Sequence, residues 1–161
     1  MTDYRVLIPE ETFQLVTFVQ DNLQGIAVIN SALNGFEPRI VFNWHLSIMI
    51  QFEDMIENGM PSHAEREMVD PFGDNLDLIF KGDNLEKPNA LFLARITWNR
   101  TRELIYRVFD PKIPHKYLTS IIDSKTSPRE FDYRIDDDPE WKLATWHLNA
   151  VSAEQDAAAN P

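Results

Sequence analysis

The order of its elements predicts an α+β domain, an antiparallel sheet with helices laid on one face. Three observations predict it: stretches of period-two alternation that come in hairpin pairs, two stretches of helical period lying between strands, and a start signal ahead of each helical stretch.

The first pair is Thr12 to Gln20 and Ile26 to Leu33, both rich in β-branched and aromatic residues, joined by a turn over Asp21 to Gly25. Asn34-Gly35 then breaks the chain. Ile40 to Phe52 is the clearest strand. Phe42, Trp44, Leu46, Ile48, Ile50 and Phe52 share one face, whereas Asn43, His45, Ser47, Met49 and Gln51 share the other. One apolar and one mostly polar face predict a sheet covered on one side only.

Ser62-His63-Ala64-Glu65 has the spacing of a capping box, and Val69, Phe72, Leu76 and Ile79 follow at helical spacing. Pro71 and Gly73 lie inside that pattern and predict a kink near Asp70 or two short helices. Leu91 to Trp98 and Arg102 to Phe109 read as a second hairpin around Asn99-Arg100-Thr101. Phe92, Ala94, Ile96 and Trp98 are expected on one face, with Leu104, Tyr106 and Val108 opposite them. Asp110-Pro111 opens another helix, with Ile113, Tyr117, Leu118 and Ile121 as its buried stripe. Phe131, Tyr133 and Ile135 alternate as a last strand. Asp138-Pro139 then begins a C-terminal helix whose inner side is Trp141, Ala144, Thr145 and Leu148.

From residue 40 onward the order is β-α-β-β-α-β, which describes a ferredoxin-like α+β sandwich with an added N-terminal β-hairpin and a C-terminal helix. Residues 1–149 form one domain, since 161 residues suffice for a single core, and Ala150 to Pro161 form a small, polar tail.

Gly59-Met60-Pro61-Ser62 followed by an acidic helix start, the paired strands Ala94 to Tyr106, and Asp136-Asp137-Asp138-Pro139-Glu140-Trp141 together resemble a known family. The family is domain-of-unknown-function family 695, and the likeness covers roughly residues 12 to 148. The resemblance implies the fold and a bacterial origin, and it carries over no catalytic residue. Pro71 and Gly73 depart from the family's usual unbroken helix.

The chain holds 26 acidic and 15 basic residues, a formal net charge of −11, which repels nucleic acid and anionic membranes and favours a basic partner. Cysteine is absent, which excludes disulfides, thiol catalysis and cysteine-ligated zinc and fits a reducing cytoplasm. No apolar run is long enough for a membrane helix, and Met1 to Arg5 lack the basic and apolar stretches of a secretion leader.

Asp132, Asp136 and Asp138 are the candidate metal ligands. Carboxylates at alternate strand positions can converge on a hard cation, but the run also reads as a helix start, with Asp138 as cap and Pro139 first. We favour the cap. His45, His63, His115 and His147 lack metal-ligand spacing, and no nucleophile elbow or phosphate-cradling loop occurs. No cofactor is expected. His45 and Ser47 could approach each other on one strand face, without a third orienting group.

The surface expected to bind a protein partner is the open sheet face: His45, Ser47, Met49 and Gln51 beside Arg95, Glu103, Ile105, Arg107 and Arg134. Its charges are expected to pair across strands, Arg95 or Arg107 with Glu103 and Arg134 with Asp132. The expected role is a non-enzymatic cytoplasmic binding domain, such as an immunity protein or inhibitor that masks a basic partner. The alternatives are a metal-assisted hydrolase using the carboxylates with His45, and a small-ligand domain using the open face.

Overall fold

The computed structural model of the chain describes residues 4–151. Among them are six strands, β1 (Phe13–Gln20), β2 (Leu23–Asn30), β3 (Trp44–Gln51), β4 (Ala90–Trp98), β5 (Thr101–Val108) and β6 (Phe131–Asp137). Two helices follow β3 and β5, α1 (His63–Lys81) and α2 (Lys112–Ser124), and a third, α3, covers residues 145–151. The strands form one sheet in the order β1-β2-β4-β5-β3-β6, and every adjacent pair is antiparallel. The protein is therefore α+β, as its element order predicts. The expectation for the tail falls largely on residues 152–161, outside the described residues.

Both hairpins are tighter than their composition suggests. Asp21 and Asn22 have φ of 52° and 64°, and Asn99 and Arg100 have 43° and 72°. Two central residues of positive φ twist a two-residue turn with the sense of the flanking strands. Gly25 thus belongs to β2 rather than to the turn, opposite Phe18. A Cβ there would sit 2.2 Å from the Phe18 ring, so the ring lies flat on bare backbone.

The capping signals act as their chemistry requires. Ser62 accepts from the Glu65 N–H and starts α1, and the Asp110 carboxylate accepts from the Lys112 N–H at the start of α2. Helix α1 runs 19 residues through Pro71 without a break. Of the two outcomes expected from Pro71 and Gly73, the division into two short helices does not occur. Val69, Leu76 and Phe80 anchor the helix on the sheet on both sides of the proline, so tertiary burial outweighs its lost hydrogen bond. Ile113, expected in the α2 stripe, is 39% exposed, and Pro114 takes the inner position.

Two cores result, one on each face. Under α1 and α2 lie Leu46, Ile48, Ile50, Leu104, Tyr106 and Val108 from the sheet, with Val69, Leu76, Phe80, Leu118 and Ile121 from the helices. On the opposite face Ala27, Ile29, Leu93, Ala94 and Ile105 pack against Phe36, Phe42, Trp141, Leu148 and Val151. The sheet is therefore not one-sided. The chain after β6 turns back across the second face, and a 3-10 turn at Arg39–Phe42 precedes β3, in place of the extended backbone expected over Ile40 to Phe42. The C-terminal helix also starts later than expected. Trp141 is left-handed at φ 60°, a 3-10 turn spans Lys142–Ala144, and Thr145 points outward while His147 is buried.

A register shift in β4 has the largest consequence for function. Phe92 pairs with Tyr106, but Ala94 pairs with Ile105, so Leu93 is an extra residue on its strand. One inserted residue reverses the facing of every side chain beyond it. Phe92 stays on the helix side, whereas Ala94 and Ile96 join the opposite core. Arg95, opposite Leu104, and Thr97, opposite Arg102, move to the helix side.

Candidate functional site

Across β5, β3 and β6 the register builds three rows on the face away from α1 and α2. His45 lies between Arg107 and Asp136, Ser47 between Ile105 and Arg134, and Met49 between Glu103 and Asp132. Eight of the nine residues expected on the binding face, Gln51 among them, thus share it. Arg95 does not, because the Leu93 bulge turns it to the other side.

The first row is not open. Arg107 is fully buried and His45 nearly so, and in the second row Ile105 is 1% exposed within the second core. The reason is Asp138, which follows β6 and folds over the row. Arg107 Nη1 donates to Asp138 Oδ2 and to His45 Nδ1, both at 3.0 Å, Nη2 donates to the Asp138 carbonyl at 2.5 Å, and Nε donates to the Phe42 carbonyl at 3.3 Å. Its guanidinium also lies over the Trp141 ring, 4.6 Å from the centroid. Arg107 therefore pairs with Asp138 and not with Glu103.

Asp138 has a second set of partners. Its Oδ1 accepts from the Lys142 N–H at 3.0 Å and its Oδ2 from the Leu143 N–H at 2.9 Å. Burial works to raise this carboxyl, but the Leu143 N–H, the Arg107 guanidinium and the Lys142 N–H together hold it below its ordinary value. The capping reading of the acidic run is right in kind, displaced by the turn at Trp141. With its oxygens so occupied Asp138 has no place in a cation site. Among the described residues, no group of three or more His, Cys, Asp or Glu side chains is placed to hold a metal ion. The triad Asp132, Asp136 and Asp138 does not converge.

His45 is neutral. An arginine can only donate, so Nδ1 must accept and the ring proton sits on Nε2. Burial and the positive charge of Arg107 lower its pKa to about 4, and burial lowers His147 to about 4 as well. Ser47 does not approach His45 as a nucleophile would approach its base; its hydroxyl donates to Glu103 at 2.5 Å.

The lower rows form a hollow of about 380 Å³, floored by Ser47, Met49 and Glu103 and edged by Asp132, Arg134 and Asp136. Leu143 and His147 close its upper end. Arg134 is exposed and reaches Asp136 at 3.5 Å rather than the expected Asp132. With both histidines neutral, the hollow carries three carboxylates against one guanidinium. It can receive a cationic side chain, with Met49 and Leu143 as apolar contact for the stem.

His147 and Leu143 were not among the residues expected here. Their spacing of four places them on one side of the C-terminal segment but says nothing about which sheet face that segment covers. The bulged Leu93 likewise carries no local mark, since Leu91-Phe92-Leu93-Ala94 is apolar on both faces.

No curated protein and no solved structure matches the chain. A family model does match it, over residues 13–147, from the second residue of the first hairpin as expected to the helix that closes the hollow. The chain belongs to the family of unknown function DUF695.

Proposed function

We propose that this protein is a non-enzymatic binding domain whose hollow on the β3-β5-β6 face receives a basic side chain of a protein partner. An immunity protein or inhibitor masking a basic toxin or nuclease is the concrete form of that role. The observation that carries it is the division of labour on this face. His45, Ser47 and Asp138, the side chains that chemistry would require, are tied into internal hydrogen bonds, while Asp132, Arg134 and Asp136 remain at the rim with a negative balance.

Chain-wide charge supports the same reading, because −11 steers a basic partner from a distance. The strand order β4-β5-β3-β6, with α1 and α2 as crossovers, supports a ferredoxin-like core to which β1 and β2 add an edge hairpin. The absence of cysteine supports a cytoplasmic setting. Among the described residues no helix is long and apolar enough to cross a membrane.

The test is a pull-down from native lysate with the tagged chain, at low and at high salt. A basic protein should be captured at low salt and released at high salt. The double variant Asp132→Lys with Asp136→Lys, which alters only rim groups, should lose it. Capture of nothing, or equal capture by the variant, would overturn the proposal.

A further inference from the structure

A second concavity lies on the opposite side of the sheet, where α1 passes the β2-β4 junction. It is a cleft of about 310 Å³ with a mainly apolar floor that includes Phe13, Val28, Phe92 and Leu104. Phe13 lies edge-on to Phe92 at 5.9 Å and is 60% exposed. Such a volume lies at the small end of organic-ligand sites, too small for a folded partner and large enough for a single metabolite.

The charges around the cleft pair off, with two left over. Lys81 bridges Glu11 at 3.0 Å and Asp77 at 2.8 Å, Arg102 pairs with Asp70, and the Tyr106 hydroxyl donates to Asp77 at 2.7 Å. Arg95 on β4 and Asp74 on α1 also line the cleft, and neither has a hydrogen-bond or ion-pair partner among the described residues. They are opposite in sign and stand on facing elements, yet lie beyond the 4.0 Å reach of a direct ion pair. Arg95 is also placed diagonally to Arg102 by the strand register, since it sits opposite Leu104 and Thr97 sits opposite Arg102. Burial and the charge of Arg95 both push the Arg102 pKa down, so an anion entering here would relieve two guanidinium groups.

A ligand with one charge would satisfy one of the leftover groups and strand the other. We propose that this cleft binds a free apolar α-amino acid as its zwitterion, with the carboxylate on Arg95, the ammonium on Asp74 and the side chain on the floor beside Phe13 and Phe92. The bulge at Leu93 is what brings Arg95 to this side, so the irregularity in β4 builds the site.

The test is calorimetric titration of the full chain with L-phenylalanine and L-leucine, beside 3-phenylpropionate, which lacks the amine, and phenethylamine, which lacks the carboxylate. At least one amino acid should bind saturably. Each single-charge analogue of phenylalanine should bind at least about tenfold more weakly, the scale of one lost charge-assisted hydrogen bond. Arg95→Gln and Asp74→Asn should each cost a similar factor, and Lys116→Gln, an exposed change on α2 outside both hollows, should change nothing. Gly73→Ala separates binding from folding. Its methyl would enter the cleft 3.5 Å from Leu104 Cδ1, an ordinary contact, and alanine favours the helix. That variant should melt higher and bind more weakly. Absence of saturable binding by both amino acids, equal binding of 3-phenylpropionate, indifference to Arg95→Gln, or a self-associated chain whose cleft a second copy fills would each overturn the proposal.

Discussion

Replacing Arg107 with methionine is the most searching perturbation of this fold. Methionine matches the length and much of the volume of the arginine stem, so the change removes charge and donors while leaving little cavity. It takes away four hydrogen bonds at once, to the Phe42 carbonyl, His45 Nδ1, the Asp138 carboxylate and the Asp138 carbonyl. Asp138 keeps its two backbone N–H donors but becomes a buried anion without a counter-charge. Removing one partner of a buried pair costs about 3–5 kcal/mol, mostly as the penalty on the stranded charge. At roughly 2–4 °C per kcal/mol for a chain of this size, Tm should fall by about 6–20 °C. Urea unfolding followed by tryptophan fluorescence reads it directly, because Trp141 stacks on the guanidinium and is 1% exposed. Arg107→Met with Asp138→Asn should recover part of the loss, since the double change leaves no net charge in the site. A single-variant loss below about 1 kcal/mol would refute the reasoning, because a surface pair costs that little.

Two further outcomes concern acid. His45 and His147 have pKa values lowered to about 4 in the fold, against 6.5 when solvated. The unfolded chain therefore binds protons first, so their contribution is complete above pH 6.5 and drains away as pH falls toward 4. Near pH 5 the slope from the pair should be about 2.4 kcal/mol per pH unit, and His147→Gln should roughly halve it in urea titrations at stepped pH. Glu65 acts in a lower window. The Arg129 guanidinium, with the backbone N–H groups of Glu53 and Asp54, holds it at about 2 against 4.5 when solvated. Its contribution, on the order of 3 kcal/mol, is present above pH 4.5 and lost between there and pH 2. Glu65→Gln should weaken the fold at pH 7 and leave stability nearly unchanged at pH 2, and an equal loss at both would count against the ion pair as the cause.

What could be read from the residues, and what could not, follows from the range of the interactions involved. Ser62 before α1 and Asp110 before α2 act within four residues, and the alternation from Leu46 to Gln51 is internal to one strand. These features were legible, and so was the order of elements. The bulge at Leu93 was not, because it shows only when β4 is paired with β5. The same holds for the covering of Arg107, which depends on where the chain travels after Asp138. Pro71 misled in the opposite way. A local rule allowed two short helices in place of a kinked one, and burial of Val69 and Leu76 on either side keeps the helix continuous.

Placement on a face does not make a charged residue available; pairing decides that. Arg107 looked like surface charge by alternation and is fully buried, whereas Arg95, one strand over, has no hydrogen-bond or ion-pair partner among the described residues. Both outcomes arise from features that depart from regular strand geometry, the left-handed turn at Trp141 and the extra residue at Leu93. The first pulls Asp138 and the C-terminal helix over one end of the β3-β5-β6 face and leaves there the hollow lined by Ser47, Met49, Glu103, Asp132, Arg134 and Asp136. The second exports a guanidinium to the α1 side, where it lines the cleft together with an apolar floor and Asp74. The two faces are thus differentiated by irregularities of a few residues, and a variant that regularised β4 by deleting Leu93 would return Arg95 to the first face and leave the second cleft only the paired cations Lys81 and Arg102.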